Sequence, residues 1–252
     1  GGGAIGGAVA RAFAREGARV FLAGRTLPHL EEVAHAITSK GGSAEVSVLD
    51  ALDPDAVERH ADEVAARAGS IDIALNAVGF THVQGVAFGE LTLTDFTHPI
   101  EAYTRTNFLT AQATARHMVR QGRGVLLMLS TPGARLTGAG FLGNGVSSAA
   151  VEALSRLLAG ELGPAGVRVV CLRPHAIGEP LAHSHTKTVF SEVARREGIT
   201  IEALTEGMRS TTLLKHLPTL REVAETAAFV ASDRAGAMTG AVVNLSCGTL
   251  VD

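Results

Sequence analysis

The chain has 252 residues, 46% of them hydrophobic and 19% charged, which suffices for the core of one α/β-sized domain and excludes a disordered or collagen-like chain. Its 22 Lys and Arg against 25 Asp and Glu give a net charge of -3 with the basic residues scattered, so no nucleic-acid partner is expected. Cys171 and Cys247 lack near neighbours, no apolar run reaches the roughly 18 residues of a membrane span, and no charged leader is evident, so a soluble cytoplasmic chain without disulfides or a Cys-based zinc site is expected.

In chain order, residues 6–15 place Val9, Ala10, Phe13 and Ala14 on one helical face, and Gly17 supplies the C-cap. Residues 19–23 form an apolar run of strand formers, and Pro28 opens a second helix where its missing N–H costs nothing. The rhythm continues with a strand at 44–49, a helix at 53–68, a strand at 71–75 and a helix at 100–121. A strand at 124–130, a helix at 145–162 and a strand at 167–172 follow. Residues 174–218 break the rhythm with four histidines and two short helical patterns, before a helix at 220–231 and a strand at 241–245. Runs such as Val125-Leu126-Leu127-Met128-Leu129 are apolar throughout, as in a parallel strand covered on both faces. The series predicts one Rossmann-type doubly wound parallel sheet in a single domain spanning residues 1–252, with helices on both faces and segment 174–218 inserted over the carboxyl ends of the strands, where ligands bind. A glycine turn at Gly1-Gly2-Gly3-Ala4-Ile5-Gly6 opens the first helix, and such a turn predicts a further strand, roughly ten residues with its turn, ahead of it.

The glycines fit G-x-G-x-x-G at Gly1, Gly3 and Gly6, a pattern that brings backbone amides and a helix N-terminus to a pyrophosphate. The continuation from Ala8 to Val20 resembles the short-chain dehydrogenase/reductase family, and the resemblance runs the length of the chain. It implies cofactor contacts at Gly1, Gly3, Ile5 and Gly6. Ala4 departs from it, standing where the family has its middle glycine; a methyl there either pushes the pyrophosphate outward or requires an Ala-compatible backbone. Gly24 followed by Arg25 ends the second strand without the acidic residue that would bond a ribose 2′-hydroxyl, leaving room and positive charge for a 2′-phosphate and favouring NADP(H) over NAD(H). Asp50 resembles the aspartate that meets the adenine amino group, with a helix cap as the competing reading. Asn76-Ala77-Val78-Gly79 resembles the family's Asn-Asn-Ala-Gly with the second asparagine lost, so Asn76 and Gly79 join the cofactor set.

The chemical end departs further. The family carries a serine, a tyrosine, a lysine four residues after it and an asparagine. Leu129-Ser130-Thr131-Pro132-Gly133 matches the serine segment, so Ser130 or Thr131 is the expected carbonyl-polarising hydroxyl, and Asn107 matches the asparagine. On the helix containing Ser147-Ser148-Ala149-Ala150-Val151-Glu152, however, Asn144 stands in the tyrosine's place and Ser148 in the lysine's. No realignment restores the pair: the single tyrosine, Tyr103, shares the helix of Asn107, and the lysines are Lys40, Lys187 and Lys215. Asn144 can donate a hydrogen bond but cannot protonate an alkoxide. The family's Pro-Gly-x-Ile-x-Thr becomes Pro174-His175-Ala176-Ile177-Gly178-Glu179, retaining Pro174 and Ile177 beside the nicotinamide. His175 is the expected substitute proton donor, because an imidazole titrates near neutrality. His183 and His185 do not make a metal site, since residues i and i+2 converge only on an extended segment and no carboxylate stands at ligand spacing.

Three functions fit: an NADP(H)-linked oxidoreductase of unusual mechanism, with His175 or water supplying the proton; a non-redox lyase, isomerase or cyclase; and a catalytically silent binding or scaffold protein. Each would take a small-molecule ligand. Helices 100–121 and 145–162 carry more apolar positions than one buried face needs, which predicts a homodimer or homotetramer formed through them.

Overall fold

The structure is a computed structural model that describes residues 1–179 and 185–251; His183 lies outside them. The order begins α1 (Ala4–Arg15), β1 (Arg19–Gly24), α2 (Leu27–Thr38), β2 (Ser43–Val48), α3 (Pro54–Ala68) and β3 (Ile73–Leu75). It continues α4 (Leu93–Gln121), β4 (Gly124–Leu129), α5 (Leu142–Leu162), β5 (Val167–Pro174), α6 (His185–Glu197), α7 (Ile201–Thr211), α8 (Leu220–Ala231) and β6 (Val242–Leu245). Local chemistry sets most boundaries. Asp53 caps α3 by accepting from Ala56 N at 3.1 Å, Pro54 follows in the first turn, and Gly69 closes the helix at φ +83°. Thr219 and Glu222 form a reciprocal capping box on α8.

One helix begins well before its predicted start. The sequence reading opens it at residue 100, but α4 runs from Leu93, capped by Thr92, and carries Pro99 inside it. Pro99 has no N–H for the carbonyl of Asp95 four residues back. Helix α5 packs there through Gly143, where a Cβ would stand only 2.9 Å from Phe96 O and 3.0 Å from Pro99 Cγ. Glycine is what allows that approach.

All ladders are parallel, but they fall into two groups: β1 pairs with β2, while β3, β4, β5 and β6 form the second group in that order. Between the two groups β1 and β3 border a slot, lined by Arg19 to Gly24 on one side and Ile71 to Leu75 on the other. That slot lies where a strand leading into the glycine turn would run.

The all-apolar strands are explained by burial on both faces. Leu126 and Met128 of β4, with Val169 and Cys171 of β5, pack under α3, α4 and α5; Val125, Leu127, Val170 and Leu172 pack under α1 and α8. A smaller cluster of Leu22, Leu30, Val33 and Ile37 joins α2 to β1. On the outer face of α4 and α5, Phe108 and Leu157 remain 48% and 60% exposed. No described helix is long and apolar enough to cross a membrane.

Candidate functional site

Every expected site residue borders one cleft of about 1460 Å³ that crosses the carboxyl ends of the strands and opens into the slot. At one end lies the N-terminus of α1. Its N-cap, Gly3, is extended (φ -76°, ψ 167°), offers no side-chain cap, and has open space where a Cβ would stand, so the first amides face the cleft without a competing side chain. Gly6 meets Ala77 and the Gly1 carbonyl closely, a Cβ there lying 3.3 Å from each. Ala4 is helical, an Ala-compatible conformation, so its methyl imposes no backbone strain. Ile5 follows in the first turn. Arg25 is exposed and makes no ion pair among the described residues. Asp50 does not cap α3, a role taken by Asp53; its carboxylate accepts from Leu52 N at 3.0 Å. These residues fit a dinucleotide: free amides at a helix N-terminus for the pyrophosphate and a free guanidinium beside the ribose end.

Asn76 behaves differently from its expected role in touching cofactor. Its amide is turned into the protein, Nδ2 donating to Thr110 Oγ1 at 3.1 Å and Oδ1 accepting from Val78 N at 3.2 Å, so it shapes the 76–79 turn. Gly79 is covered by the imidazole of His185, whose ring occupies the place of a Cβ.

At the chemical end the two hydroxyl candidates part company. Ser130, 4% exposed, donates to Glu152 Oε1 at 2.8 Å, so its proton is committed to that carboxylate. The hydroxyl of Thr131 lies 2.9 Å from Ser148 Oγ, one turn beyond Asn144 on α5. Thr131 Oγ1 and Asn144 Nδ2 both lie within 3.4 Å of the point where a Cβ on Gly133 would stand, making them close neighbours. Asn107 is 2% exposed; its Nδ2 donates to Tyr103 O at 2.9 Å and its Oδ1 is buried without a partner among the described residues. Tyr103 receives Phe80 N on its hydroxyl at 3.2 Å and stacks edge-on with Phe80; burial raises its pKa, so it does not stand in for the lost acid.

Sequence reasoning missed the charged pair behind Ser130. Arg173, 1% exposed at the end of β5, donates from Nε to Glu152 Oε1 at 2.7 Å and from a terminal nitrogen to Oε2 at 3.0 Å. The signal was there: an arginine closing the buried apolar run Val169-Val170-Cys171-Leu172 needs a carboxylate. Glu179, which departs from the family's threonine, is held separately. Its carboxylate accepts from Leu220 N at 2.7 Å, tying the segment after β5 to the N-terminus of α8.

Beyond Pro174, which pairs with Leu245, the His175 Nδ1 accepts from Ala176 N at 2.7 Å, which assigns its proton to Nε2. Burial lowers the pKa of His175, and burial with the nearby His82 pushes His185 down to about 4. His82 is itself committed, to Phe80 O at 2.8 Å and Gln84 Nε2 at 2.8 Å. No group of three or more potential metal ligands occurs among the described residues.

Parallel strands covered on both faces, with free helix amides at a cleft across their carboxyl ends, define a dinucleotide-binding α/β protein. Residues 2–249 match the family described as enoyl-(acyl carrier protein) reductase, and the chain belongs to the short-chain dehydrogenase/reductase family of NAD(P)-linked oxidoreductases. It is 30% identical over 250 residues to galactitol 2-dehydrogenase of Rhizobium johnstonii, covering 98% of this chain and 91% of that protein. It is 27% identical over 252 residues to a 7alpha-hydroxysteroid dehydrogenase of Clostridium sardiniense, covering 97% and 88%. The structure of a short-chain type dehydrogenase/reductase from Mycobacterium ulcerans superposes with a TM-score of 0.86 at 26% identity, over 99% of this chain and 86% of that one. This membership favours the oxidoreductase reading over the non-redox and silent alternatives.

Proposed function

We propose that the chain is an NADP(H)-linked oxidoreductase that interconverts a small-molecule ketone and its alcohol without a tyrosine–lysine pair. The observation that carries this reading is the convergence of Thr131 Oγ1 and Asn144 Nδ2 beside Gly133, two hydrogen-bond donors in the cleft that also holds the free α1 amides. Bound in that cleft, the cofactor supplies or accepts the hydride. Thr131 and Asn144 donate to the carbonyl oxygen and stabilise the charge that builds on it, while Ser148 donates to Thr131 Oγ1 and orients it. The proton comes from His175 Nε2–H or from water. Since a buried neutral imidazole is a poor acid, turnover of ordinary ketones is slow relative to an enzyme with the full pair.

Selectivity for NADP(H) rests on Arg25 and the small Gly24. Calorimetric titration tests it: NADPH binds more tightly than NADH, and Arg25→Ala removes most of a difference of about 1–3 kcal/mol, the worth of charge-assisted bonds to a phosphate. Equal affinities overturn the role of Arg25, and failure of both nucleotides to bind overturns the cofactor reading. Loss of turnover in His175→Ala assigns the proton to that ring; unchanged turnover assigns it to water.

A further inference from the structure

The wall of the cleft opposite the cofactor end has a definite chemical character. From Val78 to Thr249, the only charged side chain bordering the cleft among the described residues is Glu197; no lysine or arginine does. Most polar side chains there are already satisfied by the protein. Gln84 and His82 bond to each other, His82 to Phe80 O, Tyr103 to Phe80 N, and Ser130 to Glu152. A phosphorylated substrate finds no counter-charge on this wall, and a polyol finds few free partners for its hydroxyls, each of which costs free energy when buried unpaired.

The rest of the wall is apolar, and helix α7 shows why. Ala203, Leu204, Gly207, Met208 and Thr211 fall at i, i+1, i+4, i+5 and i+8, one helical face, and all five border the cleft. The opposite face carries Glu202, Glu206 and Arg209, with Arg209 paired to Glu206 at 2.5 Å. The helix packs on α6 and has no buried residue, so its apolar stripe has the cleft as its other neighbour. Phe190 of α6 and Phe141, just ahead of α5, add further apolar surface to the same cleft.

Building on the carbonyl-binding role of Thr131 and Asn144, we propose that the substrate is an uncharged ketone or secondary alcohol with a bulky, ring-sized apolar body, its single oxygen at Thr131 and Asn144 and its body against the α7 stripe. Thr131 and Asn144 set the oxygen position, and Leu204 and Met208, bordering the same cleft, set where the carbon skeleton lies. Covering that stripe is favourable in proportion to the apolar area removed from water.

The test is calorimetry of the whole chain with trans-decalone, D-xylulose and D-xylulose phosphate, each with and without NADP⁺, and a separate NADPH titration. Decalone binds saturably while the two ketoses do not; Met208→Glu and Leu204→Ser each weaken decalone at least tenfold and leave NADPH affinity unchanged, which also shows that the variants are folded. The proposal is overturned if decalone does not bind, if either ketose binds as tightly, or if neither substitution weakens it. Wild-type protein that takes decalone as described but fails to bind NADPH defeats the redox reading and leaves the substrate class standing.

Discussion

Removing Glu152 is the sharpest test of the network behind the site. Its carboxylate receives two bonds from Arg173, at 2.7 and 3.0 Å, and one from Ser130 at 2.8 Å, with the Arg173 side chain 2% exposed and that of Glu152 12%. Glu152→Ala leaves a buried guanidinium without its carboxylate and a buried hydroxyl without its acceptor. Breaking one side of a buried pair costs about 3–5 kcal/mol, much of it the desolvation of the charge left behind. For a chain of this size that corresponds to a fall in Tm on the order of 6–20 °C. Because the sequence contains no tryptophan, urea unfolding followed by far-ultraviolet circular dichroism is the appropriate assay. The double variant Glu152→Met with Arg173→Met recovers most of the loss, since a well-packed apolar pair is often as stable as the ion pair it replaces. A loss below about 1 kcal/mol in Glu152→Ala would falsify the reasoning, as would a double variant no better than the single.

Restoring Asn144→Tyr together with Ser148→Lys raises ketone reduction in a steady-state NADPH assay by roughly tenfold or more, while either change alone does little, because the lysine's charge makes the tyrosine a useful acid; an additive pair of single effects refutes the coupling. Burial holds His185, with a folded pKa of about 4, below its unfolded 6.5, so the unfolded chain binds the extra proton and the stability contributed by the neutral ring is present above 6.5 and lost as pH falls toward 4. His82 and His175 shift the same way by burial. Urea midpoints measured from pH 7 to 4 therefore fall, and His185→Asn flattens the slope; an unchanged slope rejects the assignment. Light scattering at micromolar concentration finds a dimer or tetramer, and Leu157→Glu on the exposed face of α5 shifts it toward monomer; a monomeric wild type refutes pairing through α4 and α5.

Much of the frame was legible because it is written in local rules. Asp53, Pro54 and Gly69 delimit α3 through cap and turn chemistry within the helix itself, and the apolar run of β4 announces burial on both faces. The absence of tyrosine and lysine from α5 is a fact of composition that no tertiary arrangement can reverse. Where the reading went astray, a distant partner decided the outcome. Helix α4 continues through Pro99, with α5 closely packed against it through Gly143, a contact between residues more than forty apart.

The sequence by itself determined the order of elements, the glycine turn at α1 and the absence of tyrosine and lysine from α5. These depend on spacing along the chain. Only the tertiary structure shows that the Ser130 hydroxyl is bonded to Glu152 while that of Thr131 lies beside Ser148, because the difference depends on Glu152 and Arg173 meeting behind the strand end. It also decided that Asn76 turns inward to Thr110 and that the ring of His185 covers Gly79. A hydroxyl's direction and a strand's neighbour are set by groups brought together across the fold, where side-chain chemistry within a short window has no purchase.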